Sequence, residues 1–137
     1  MTDRSATELM HEAMPFCATL GARADKYSSE EVMLTLDWAP GLCTTGGIMH
    51  GGAIMALADS AGAACALLNL PKDASGTATI ESKTNFLGAV RSGTVTATAT
   101  PLHAGGTTIV VETSVHDGGG RMVAKVTQTQ IVLRPKH

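Results

Sequence analysis

The stretch GGIMHGGAIMALADSAGAACALL, residues 46–68, decides how the chain folds. From residue 51 to about 69 it is rich in Ala, Met and Leu, which favour helix, and Pro71 supplies a stop. Within residues 53–68 the polar side chains are those of Asp59 and Ser60. A helix apolar nearly all round must be enclosed by the rest of the fold. A carboxylate on such a helix is costly unless something pairs with it or uses it.

After this helix the pattern changes to strand. TATIESKTNFL, TVTATATPLH, TTIVVETSVH and RMVAKVTQTQIVL are rich in Thr and Val and are separated by GAVRSG, AGG and DGGG. Such short turns imply an antiparallel meander. Ile109, Val111 and Val115 fall on one face, and Pro101 marks an edge position or a bulge. Before the helix, Ser5 and Glu8 in SATELMHEA have capping-box spacing for a short helix that Pro15 ends. CATLGARADKYSSEEVMLTLDWAP reads as two strands turning near KYSSEE, with Val32, Leu34 and Leu36 on one face. The expected architecture is α+β: a long central helix wrapped by a curved antiparallel sheet of about five to six strands. One domain spans residues 1–137, with 1–14 as an N-terminal helical segment. A second copy of the chain is the expected cover for the helix face left over.

Composition narrows the function. With 44% hydrophobic and 16% charged residues the chain is globular. A net charge of −2 gives no electrostatic case for nucleic acid or an anionic membrane, and 3% aromatics leave few stacking platforms. The N-terminus lacks a long apolar run and reads as a cytoplasmic start, and no stretch is long enough for a transmembrane helix. Cys17, Cys43 and Cys65 fit neither a disulfide framework nor a zinc site, so reduced thiols are expected. His11, His50, His103, His116 and His137 lack metal-ligand spacing, so no metal is expected.

The chemistry concentrates at the helix start and at Asp59. Asp59 lies eight residues past Gly51, roughly 12 Å along a helix axis, too far to cap its own helix. The first N–H groups of a helix lack intrahelical partners and carry the positive end of its dipole. Gly51 and Gly52 have no side chains to keep a ligand oxygen from those amides, which makes a candidate oxyanion hole. Two such helices, antiparallel across a two-fold axis, would set the amide of one chain against the acid of the other. Structural readings stand beside this one: His50 as an N-cap, the Gly pair as a packing device, Asp59 as a hydrogen-bonded structural acid.

HGGAIMALAD (residues 50–59), with NFLGAVRSG downstream, resembles the PaaI-like hotdog-fold acyl-CoA thioesterases, and the likeness extends over residues 15–133. PFCATLGAR looks like that family's first strand and GGRMVAKVTQTQIVL like its last. The resemblance implies a hotdog fold, dimers with composite active sites often paired into tetramers, and hydrolysis of a small or medium acyl-CoA. It implies no cofactor, coenzyme A being part of the substrate. Asp59 would be the nucleophile or general base, and the Gly51 N–H would polarise the thioester carbonyl. His50 would support the loop, with Gly52 beside it. Thr79, or its neighbour Thr77, would be the hydroxyl near the acid. Where many members carry Asn or Gln six positions before the His, this chain has Thr44, a shorter donor. That departure leaves a second reading open, a non-catalytic acyl-CoA or small-ligand binding protein. Arg91 is the first choice for the coenzyme A phosphates, ahead of Lys83, His103 and Arg121.

Overall fold

A computed structural model describes residues 1–136; His137 lies outside them. The elements in chain order are α1 (Arg4–Ala13), α2 (Pro15–Leu20), β1 (Arg23–Tyr27), β2 (Val32–Asp37), α3 (Gly51–Leu67), β3 (Gly76–Phe86), β4 (Thr94–Ala104), β5 (Thr108–His116) and β6 (Met122–Leu133). The described strands form one antiparallel sheet in the order β1-β2-β4-β5-β6-β3. The sheet curves around α3, which packs against β2 to β6.

The helix is small-sided where it meets the sheet. Leu57, Ala58, Ala61, Ala64 and Cys65 are buried against Leu34 and Leu36 of β2, Val95, Ala97 and Ala99 of β4, and Ile109, Val111 and Val115 of β5. The alternation of β5 follows period two, with Ile109, Val111, Thr113 and Val115 facing in. Leu57 is fully buried, so Leu57→Ala would cost about 2–5 kcal/mol.

Three local expectations are corrected. Asp3, not Ser5, caps α1: its carboxylate accepts the Ala6 N–H at 3.0 Å, because the first helical residue is Arg4. PFCATL is helix, not the first strand. Pro15 ends α1 but also opens α2 at a first-turn position, where its missing N–H costs nothing. Gly21, at φ +86°, stops α2 in a left-handed conformation, and β1 starts only at Arg23. The last four strands are not a simple meander. β4, β5 and β6 are consecutive neighbours, but β3 pairs with β6 at the far edge. The connection over residues 87–93 is longer than a hairpin turn and lets the chain cross from one end of this group to the other.

Pro101 sits at a bulge between β4 and β5, beyond Ala99, the last β4 residue paired with β2. Its missing N–H therefore deprives no ladder on that side. β3 is an edge strand of 11 residues, exposed along most of its length. Among the described residues no helix is long and apolar enough to cross a membrane.

Candidate active site

The loop before α3 is tied down at its base. Cys43 and Met49 form an isolated antiparallel bridge, and the His50 N–H donates to the Leu42 carbonyl at 2.8 Å. Gly46 and Gly47 turn the loop with φ of +77° and +71°. His50 then caps the helix, its Nδ1 accepting the Gly52 N–H at 2.7 Å. With Nδ1 as acceptor, the neutral ring carries its proton on Nε2. A Cβ on Gly52 would come within 2.8 Å of that Nδ1, so glycine is what allows the ring to fold over the helix end. The N–H of Gly51 meets no acceptor among the described residues. Its Cα lies under the ring of Phe86, where an added Cβ would stand 3.1 Å from the ring.

Along α3, Gly52, Met55, Ala56 and Asp59 follow helical spacing and make one face left uncovered by the sheet. Two hollows share that face. One, of about 430 Å³, is lined by Leu20, Leu42, Cys43, His50, Ala53 and others. The second, of about 460 Å³, is lined by Phe16, Gly52, Met55, Ala56, Asp59 and Ser82. Phe16, Gly52 and Ala56 border both, and Phe16 is 60% exposed.

Asp59 is held from beneath. Gln128 of β6, 1% exposed, donates its Nε2 hydrogen to Asp59 Oδ1 at 2.7 Å. Partial burial pushes the carboxyl pKa above its ordinary value, and the bond from Gln128 pulls the other way. Sequence reading missed Gln128. The available signal was a pair of Gln, Gln128 and Gln130, on the row of KVTQTQIVL that also carries Val126 and Val132.

The structure sorts the hydroxyls of β3. Thr79 faces Gln130, whose Nε2 donates to Thr79 Oγ1 at 2.6 Å. The hydroxyl residue that shares a hollow with Asp59 is Ser82. A bulge between Thr79 and Glu81 resets the alternation, so that Ser82 stands opposite Gln128. Thr77 pairs with Val132, farther along the same strand. Thr44 is exposed, donates its backbone N–H to the Ile48 carbonyl, and lines neither hollow.

The cations are spread out. Arg91 is exposed in a separate hollow of about 370 Å³ with Ser92, Asp117, Gly118 and Gly119. Arg121 is already engaged, with Asp117 at 3.4 Å and the Ala89 carbonyl at 2.6 Å. Lys83 lies opposite Thr127, on the sheet face away from α3, and His103 follows the β4 bulge. Among the described residues no group of three His, Cys, Asp or Glu side chains is placed to hold a metal ion.

Comparison with known proteins gives this geometry a family. Residues 46–124 match the thioesterase superfamily. A protein of Saccharolobus solfataricus named "Putative esterase SSO1253" is 31% identical over 84% of this chain and 75% of its own length. Another from that organism, "Putative esterase SSO2140", is 38% identical over 66% of this chain; the match spans 64% of that relative, just under two thirds. The structure of a variant of thioesterase PA1618 from Pseudomonas aeruginosa superimposes with a TM-score of 0.86 at 25% identity, covering 94% of each chain. The chain belongs to the thioesterase superfamily, a family of hydrolases, and its architecture is the hotdog fold.

Proposed function

We propose that the chain hydrolyses a small or medium acyl-CoA thioester as a homodimer, with each site built from both protomers. One observation carries this reading: the anchored carboxylate of Asp59 opens on the uncovered face of α3, and the N–H of Gly51, which meets no acceptor among the described residues, stands at the start of the same helix. They are roughly 12 Å apart along the axis, so one chain cannot bring both to one carbonyl. Two copies related by a two-fold axis can. The unpaired edge of β3 supports such an assembly, since an open edge is a template for another strand. Two dimers pairing into a tetramer extend the same proposal.

In the reaction the partner's Gly51 N–H, at the positive end of its helix, polarises the thioester carbonyl. Asp59 then acts by one of two routes. As general base it takes a proton from water while the water oxygen bonds to the carbonyl carbon. As nucleophile its own oxygen bonds to that carbon, giving an anhydride that water opens. In either case the C–S bond breaks, the sulfur leaves as thiolate and is protonated, and acid and coenzyme A are released. Ser82, which lines the same hollow as Asp59, serves in this reading as the hydroxyl beside the acid. Arg91 is the cation offered to the phosphates, and no cofactor is required.

The test is a panel of acyl-CoAs with released thiol as readout. Asp59→Asn and Asp59→Ala are expected to lower turnover by at least about 10²-fold, the usual size for a positioned base. Equal turnover by wild type and variants would remove Asp59 from the reaction. The exposed position of Thr44, outside both hollows, favours the second reading, binding without turnover. That reading predicts thermal stabilisation by coenzyme A with no hydrolysis of any thioester.

A further inference from the structure

Gln128 presents an unusual arrangement for a side chain that is 1% exposed. Its Nε2 donates to Asp59, while its Oε1 has no hydrogen-bond partner among the described residues. A buried acceptor without a partner is costly, and native folds keep few of them. The Oε1 is wedged against Gly62, one turn beyond Asp59, where any added Cβ would overlap it. Turning the amide over would bring its oxygen against the carboxylate oxygen, so the orientation is fixed by the acid. A methionine at this position would fill similar space with no orphaned atom. The cost is explained if the other end of the amide is what the site uses.

We infer that Gln128 is a positioning residue: its amide, reaching from the inner face of β6, locks Oδ1 of Asp59 so that Oδ2 is the oxygen presented for reaction. Oδ2 has no hydrogen-bond partner among the described residues, and Asp59 opens into the hollow shared with Ser82. A neutral amide suits this task better than a cation. It fixes the carboxylate without drawing its pKa down as far as Lys or Arg would, so basicity is retained. The inference rests on the reading of Asp59 as the reacting acid.

Other charges do not compete for this role. Glu81 and Lys83 of β3, Glu112 of β5 and Lys125 of β6 stand on the sheet face away from α3, and Glu112 pairs with Lys125. Asp37 of β2 is held by Arg23. His103 of β4 follows its bulge, at the end of that strand. On α3 itself the other titratable group is Cys65, a buried thiol, with His50 capping the far end, and on α2 there is the buried Cys17.

The experiment compares wild type, Gln128→Met, Gln128→Glu, Asp59→Asn and the Asp59→Asn/Gln128→Met pair in the full chain. Turnover of the best acyl-CoA is followed against pH, and the Asp59 carboxyl is titrated by 13C NMR. Gln128→Met is expected to lower kcat about tenfold with KM nearly unchanged, the scale of one lost bond to a charged group. The acid limb of its profile and the Asp59 titration should both move to higher pH. Gln128→Glu keeps the shape and should move both farther up, because two carboxylates then share the site. In the Asp59→Asn background, Gln128→Met should cost no further rate. An unchanged Asp59 titration and rate in both Gln128 variants, with Asp59→Asn still inactive, would overturn this inference and leave the proposed function standing. Failure of the wild type on every thioester would overturn both.

Discussion

His50 closes the helix it precedes: its Nδ1 accepts the N–H of Gly52 at 2.7 Å, while the N–H of Gly51 at the helix start meets no acceptor among the described residues. The cap is thus part of the site's construction, because it occupies the second amide and not the first. His50→Ala is expected to cost about 0.5–2 kcal/mol in denaturant unfolding, and His50→Asn much less, since Asn is a good N-cap. Gly52→Ala should behave like His50→Ala, because its Cβ would stand where the ring must lie.

Asp59 costs stability in return for its placement. Its pKa is raised in the fold, first by burial, so the ionised form is disfavoured there. The stability this group withholds is lost as pH rises through the ordinary carboxylate value, about 4, toward the folded one. Asp59→Asn keeps an oxygen for Gln128 to bond and removes the charge. Its Tm should exceed that of the wild type at pH 7, and the gap should close as both are acidified below that range. A lower Tm for the variant at pH 7 would contradict this account of the site.

Gly62 shows that the helix is shaped around Gln128. An Ala in the middle of a helix ordinarily gains up to about 1 kcal/mol over Gly. Here the added Cβ would overlap Gln128 Oε1, so Gly62→Ala should destabilise. In a Gln128→Ala background, with the obstruction gone, the sign should reverse. A double-mutant cycle by chemical denaturation measures this directly, and additivity would rule out the contact as the reason for glycine.

Ser82 and Thr79 should separate by what they damage. Ser82→Ala is expected to lower turnover with little change in Tm, since Ser82 is exposed and borders the hollow of Asp59. Thr79→Ala should instead lower stability by about 1 kcal/mol, because buried Gln130 loses the acceptor for its Nε2. Thr79→Ser should restore it. The reverse pattern would return the catalytic hydroxyl to Thr79.

Much of this was legible from residues alone. The apolar run over residues 51–67, its glycine start and its lone acid gave the central helix, and Thr and Val periodicity gave the strands. What was missed depended on events that period counting does not register. Pro15 terminates one helix while starting another, so the short segment after it, which carries no helical period, reads as strand. The bulge after Thr79 shifts every later side chain of β3 by one face, which sets Ser82, where strict alternation would set Glu81, opposite Gln128. Gln128 is 69 residues from Asp59 in sequence, and only the pairing of β6 between β5 and the edge strand β3 brings it under the helix.

The composite site is tested most directly by mixing two dead chains. Asp59→Asn removes the acid. Gly51→Pro removes the amide hydrogen at the first helical position, where proline is tolerated; His50 before it already has a ψ of 135° that proline accepts, and the exposed ring of Phe86, 3.1 Å from the new Cβ, has room to swing aside. Each variant alone should be folded by circular dichroism and inactive as a pure assembly. Refolded together, mixed dimers contain one site with both Asp59 and a Gly51 N–H intact. The account predicts thioester hydrolysis from the mixture that neither variant shows alone, rising toward one intact site per mixed dimer. Two folded variants that exchange subunits and remain inactive would contradict it.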